Sequence, residues 1–115
     1  LTETKLYETA GKAPITLEVI IGNADVGGTF VAFDGNALEP NPETTDRWTI
    51  GTAGEDLRYK LLVCTTNVKD INPQTNKTSV TYKLSGGAES QKFPFSIDVL
   101  QDGGYAIYSI TFAFI

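Results

Sequence analysis

The sequence predicts an all-β domain, an antiparallel β-sandwich of seven or eight strands. Three observations carry this. Apolar and polar residues alternate with a period of two along most of the chain. Clusters of Gly, Asn, Asp and Pro punctuate the alternation at short intervals. No segment holds a helical apolar stripe of useful length. The pattern fits an immunoglobulin-like or jelly-roll-like sandwich, with a small barrel as the alternative. The Cys–Trp–Cys framework of antibody domains is absent, since Cys64 is the only cysteine.

Leu1 to Lys12 is polar and threonine-rich, and reads as an edge strand or an incoming linker. After Pro14, the apolar residues Ile15, Leu17, Val19 and Ile21 share one parity, the mark of a half-buried strand. Gly22-Asn23 and Gly27-Gly28 bracket a turn region, and Thr29 to Phe33 follows as a strand, so the two strands read as a hairpin. Asp34 to Asp46 is read as a single loop, because it holds two prolines, a glycine and four acids. Arg47 to Ile50 is a short strand with Trp48 and Ile50 on one face. In Leu57 to Val68, Tyr59, Leu61 and Val63 lie on one face and Leu62, Cys64 and Val68 on the other. Apolar residues on both faces point to a central strand covered on both sides, or to a bend between sheets. Thr78 to Leu84 alternates with Val80, Tyr82 and Leu84 inward.

Lys92 to Ile115 is the strongest pattern. Phe93, Phe95, Ile97 and Val99 share one parity, and Ala106, Tyr108, Ile110, Phe112 and Phe114 share the other. A turn over Gln101 to Gly104 would pair Ile97 with Tyr108 and put both apolar sets on one face of a closing hairpin. Phe95, Ile97, Tyr108, Ile110 and Phe112 should be largely buried. Ile110→Ala is expected to cost about 2–5 kcal/mol in urea unfolding, and a loss below about 0.5 kcal/mol would place that face in solvent.

Length and composition indicate one globular domain spanning residues 1–115. The net charge of −5 and the scattered lysines, Lys60, Lys69, Lys77, Lys83 and Lys92, argue against nucleic acid as a partner. The absence of histidine removes the commonest general base and transition-metal ligand. No internal disulfide is possible. The chain begins at Leu1 and contains no methionine, so a trimmed chain, a mature form or one domain of a longer protein is expected. No membrane insertion is expected. No window has the length and apolarity of a spanning helix, and most strands are shorter than the ~9–11 residues a membrane barrel needs.

The chemistry-bearing residue types are sparse. Cys64 lies within an apolar run with no base available and reads as a small core residue. No serine sits in a nucleophile motif. Asp70-Ile71-Asn72 with Asn76, and the acids of the 34–46 loop, supply oxygens for calcium, but neither matches the twelve-residue calcium loop. Both are read as turn chemistry, with no metal and no cofactor. The candidate binding residues are Asp34, Glu39, Glu43 and Asp46 in the acidic loop, with Trp48 just after it. Trp48 is either a core residue or a stacking platform for a sugar.

The expected function is therefore a non-enzymatic β-sandwich module for macromolecular binding or scaffolding, of the kind that forms one domain of a larger exported or surface protein. Its partner would be a protein or a glycan, with self-association through edge strands open to it. One alternative is a carbohydrate-binding module centred on Trp48. Another is a small carboxylate-dependent hydrolase, which needs two acids facing each other across a cleft.

Overall fold

The computed structural model describes residues 1–115 and contains no helix. Nine strands form: β1 (Thr2–Tyr7), β2 (Ile15–Ile21), β3 (Val26–Phe33), β4 (Asn36–Leu38), β5 (Arg47–Ile50), β6 (Leu61–Lys69), β7 (Lys77–Ser85), β8 (Gln91–Asp98) and β9 (Tyr105–Phe114). They build two packed sheets, β1-β9-β6-β3-β4 and β5-β2-β7-β8. The sandwich expectation holds, and the barrel alternative does not, because neither sheet closes. One pairing departs from the antiparallel pattern. β1 runs parallel to β9, Thr2 opposite Ser109 through Tyr7 opposite Phe114.

The core lies between the sheets. Inward residues of one parity fill it from both sides, among them Leu17, Trp48, Leu62, Cys64, Tyr82, Tyr108, Ile110 and Phe112. Burial pushes the Cys64 thiol up to about 12, which makes it an inert packing group. Two hydroxyl pairs cross the core. Thr66 on β6 meets Tyr82 on β7 at 2.6 Å, and Thr78 on β7 meets Tyr108 on β9 at 2.6 Å. Each satisfies polar groups that would otherwise be stranded in apolar surroundings.

The closing hairpin does not form. β8 pairs with β7, and β9 pairs with β6 and β1, so the two strands belong to different sheets. Their apolar faces look at each other across the core instead of lying side by side. The Phe93 and Phe112 rings meet edge-on at 5.0 Å. Shared parity requires only that both faces reach one core, and the segment Val99–Gly104 is long enough to cross the ~10 Å between sheets. β2 and β3 likewise fall in opposite sheets, so that expected hairpin is absent too.

Tyr108, Ile110 and Phe112 are fully buried, as expected. Phe95 and Ile97 are only half-buried. β8 is an edge, and the edge of the opposite sheet on that side, β1, turns Glu3 and Lys5 inward with Tyr7. Lys5 Nζ lies 5.9 Å from the centre of the Phe95 ring. Charges that point inward on an edge strand discourage pairing with another chain.

The 34–46 segment is not one loop. Asp34 (φ 50°) and Gly35 (φ 81°) form a two-residue turn that returns the chain along β3 as β4. Two successive positive φ angles are what such a hairpin turn requires, and Asp-Gly supplies them.

Candidate functional site

The acidic-loop residues do not converge. Asp34, Glu39, Glu43 and Asp46 are all exposed. Asp34 lines a cleft with Thr49, Glu55 and Lys60, whereas Asp46 lines a different one with Val19, Gly27 and Gly28. Trp48 is 1% exposed on the inward side of β5, so its indole offers no face to a ligand. The sugar-stacking arrangement loses its platform, because the single Trp fills core between the sheets.

Asp34 and Glu55 do share a cleft, of about 380 Å3. The surroundings of Glu55 do not suit it as a general acid. The Thr52 N–H donates to Glu55 Oε1 at 3.0 Å, and Lys60 Nζ donates to Oε2 at 3.1 Å. The Thr52 amide first, then Lys60, hold the Glu55 carboxyl below its usual range. A general acid needs the opposite shift, from burial or a neighbouring carboxylate. Next to this pair, Arg58 grips Asp56, whose carboxyl falls to about 2. Asp56 is exposed and Glu55 half-buried, and these donors hold both carboxyls ionised.

The more distinctive surface is the outer face of the five-stranded sheet. Its rows follow from the strand registers. Near one end Leu6, Ala113 and Leu61 lie side by side. The middle carries Thr111, Val63, Ala32 and Ala37, then Ser109, Thr65 and Phe30. The far end carries Ile107, Asn67 and Gly28, then Tyr105, Lys69 and Val26. Phe30 is 60% exposed and Ile107 57%. Lys69 is the one charged side chain in these rows, and its Nζ lies 5.8 Å from the centre of the Tyr105 ring. None of the residues in these strand rows is a carboxylate, and Asp34 and Glu39 follow directly on β3 and β4 at the margin of the face.

The other sheet's outer face is different in kind. It carries Glu18, Arg47, Lys83 and Lys92 in one row and Lys77 opposite Asp98 in another. Arg47 pairs with Glu18 at 3.0 Å. A charged, ion-paired sheet face is what solvent contact favours, and a broad face without acids is what a packed interface favours.

Part of this surface was legible. Apolar residues on both faces of Leu57 to Val68 point to a strand covered on both sides or to a bend between sheets. The inner side is covered by the core, while the outer side, with Leu61 half exposed, is covered by nothing in this chain. The exposed Phe30 had the same signal, an aromatic out of phase with Val31 and Phe33.

Comparison with family models, with curated proteins and with solved structures gives no match.

Proposed function

We propose that the chain is a non-enzymatic assembly module that packs against a second copy of itself through the outer face of the five-stranded sheet. The observation that carries this reading is the absence of carboxylates from the paired strand rows of that face in a chain of net charge −5. Two acidic copies repel at long range, so a homomeric contact needs a surface where no like charges are buried together. This face meets that condition.

Its size also suits. Four strands at a spacing near 4.8 Å and a length near 30 Å give roughly 600 Å2 per copy. Two copies would bury about 1,200 Å2, the lower end of stable interfaces. Sheet-on-sheet packing is also how the domain builds its own core.

The open edges are weaker routes to assembly. The Val99 N–H donates to Asn76 O at 2.9 Å, so the odd-numbered backbone groups of β8 face β7 and the even-numbered ones face outward. Pro94 is among the outward ones and removes a donor from the free edge.

Sedimentation equilibrium between about 1 and 500 µM tests the proposal. The wild-type chain should reach dimer mass in that range, and Ile107→Glu or Phe30→Glu should weaken association by more than tenfold. A monomer throughout, or an unchanged dimer in both variants, would overturn it. Association lost instead on changing Ser96 to Pro would assign assembly to the β8 edge.

A further inference from the structure

The outer face of the four-stranded sheet gathers cations that are scattered along the chain. Alternation sends Arg47, Glu18, Lys83 and Lys92 outward, and the registers place them in one row across β5, β2, β7 and β8. Three strand steps of about 4.8 Å make the row roughly 14 Å long. Lys77 stands on the same face, opposite Asp98. The strand rows of this face therefore hold four cations and two acids, whereas the rest of the chain has five cations and twelve acids.

The charged row is not arranged for stability. Arg47 Nε lies 3.1 Å and Nη2 3.0 Å from Glu18 Oε2, so the one acid of the row is already engaged. Lys83 and Lys92 stand directly opposite each other, and neither belongs to an ion pair. The odd-numbered backbone groups of β8 bond to β7, so Lys92 and Lys83 form a non-hydrogen-bonded pair, the kind that brings side chains closest. Like charges in that position repel, and an acid at either one would pair instead. An anion lying between the two ammonium groups removes the repulsion.

We propose that this face binds an acidic polysaccharide, a chain of sugars carrying carboxylates or sulfates, with Lys83, Lys92 and Arg47 as its anion contacts. The residues around the row single out that class. Thr16, Thr49 and Ser85 flank it on one side and Thr81 on the other. Their hydroxyls donate and accept, as the hydroxyls of a sugar require. A shallow cleft of about 210 Å3, lined by Thr16, Glu18, Arg47, Lys83 and Ser85, has no apolar wall and suits one hydrated acid group. A nucleic-acid strand would need aromatic side chains under its bases, and these rows carry none. An acidic peptide would need apolar anchors, and the rows offer only Ile20 and Pro94.

The site lies on the opposite side of the sandwich from the self-association face and does not depend on it. In a pair joined through that face, the two polysaccharide sites would point away from each other and make the pair a bivalent cross-linker.

Calorimetric titration of the whole chain tests the site. The probes are polygalacturonate, which carries only carboxylates, and dextran sulfate, which carries only sulfates. Neutral dextran, poly-L-glutamate and single-stranded poly(dT) are the comparisons. At low salt the wild type should bind at least one acidic polysaccharide more tightly than any comparison, and the tighter of the two names the acid. Counterion release at three contacts predicts an affinity loss on the order of a hundredfold between about 20 and 200 mM NaCl. Lys83→Gln and Lys92→Gln should each weaken binding about tenfold at the lower salt, and Lys5→Gln, in the other sheet, should leave it unchanged. Lys92→Glu should abolish binding yet raise the urea midpoint, because it gives Lys83 an opposite charge, and so separates lost binding from lost folding. No binding of either polysaccharide at low salt, binding unchanged in both glutamine variants, or tighter binding of poly-L-glutamate or poly(dT) would overturn the site.

Discussion

Phe112→Ala is expected to cost about 3–5 kcal/mol, the range for deleting a fully buried aromatic. The ring sits where three strands meet. It packs against Tyr82 at 5.9 Å and Phe93 at 5.0 Å, both edge-on, and so joins β9 to β7 and β8 of the opposite sheet. A domain of this size holds only about 5–15 kcal/mol in all, so the variant should be close to unfolding at 37 °C. Urea denaturation should show a lower midpoint at unchanged slope. Phe93→Ala makes the comparison informative. Its partner ring is half-buried on an edge strand, so its removal should cost less than half as much. Equal losses would mean that the two sheets do not close over Phe112.

Gly27→Ala is expected to lose on the order of 2–4 kcal/mol by a different route, the collision of backbone with backbone. A methyl group at Gly27 would overlap the Asn67 carbonyl oxygen and lie 3.1 Å from Val68 Cα. Both atoms belong to β6, the strand that β3 pairs with along its length. Neither can swing away as a side chain would, so the two strands must part locally. Gly28→Ala is the control. Nothing lies within 4 Å of its added methyl, which points to the outer face. That change should be neutral or slightly stabilising, because alanine has less chain entropy to lose. Hydrogen exchange should show loosened amides along β3 and β6 in the first variant only. Similar behaviour in both would refute the close approach.

Much of the inner face could be read from alternation, since a strand's side chains point to opposite sides whatever the strand pairs with. Leu17, Val80, Tyr82, Leu84 and Phe112 were assigned inward on parity, and all are buried. The polar composition of Leu1 to Lys12 allowed an edge strand or a linker, and β1 lies at an edge. Strand partners were not. The runs that became β8 and β9 have matched parity and a turn signal between them, which suits a hairpin and a crossing between sheets equally. The decision came from residues far away in sequence. β6 occupies the pairing side of β9 that β8 would have needed, and β1 takes the other. The Asp34-Gly35 turn was a missed local signal, hidden because the acids and prolines after it made the whole stretch look like loop.

The expected site fared differently from the fold. Asp34, Glu39, Glu43, Asp46 and Trp48 are near one another in sequence. The chain crosses from one sheet to the other within that stretch, which separates Asp34 from Asp46 and turns Trp48 into the core. Asp25, buried against the 70–72 backbone, has nothing beside it in sequence that marks it. That backbone lies far along the chain.

Sequence by itself determined the all-β class, the parity of each long strand and therefore the composition of the core. These follow from backbone stereochemistry and the removal of apolar surface from water, both local in origin. The tertiary structure alone decided which strands pair, which strand rows are left without acids, and which lysines stand opposite each other. Those depend on contacts between distant segments, where the free energy of a pairing is set by everything else that competes for the same edge or the same core.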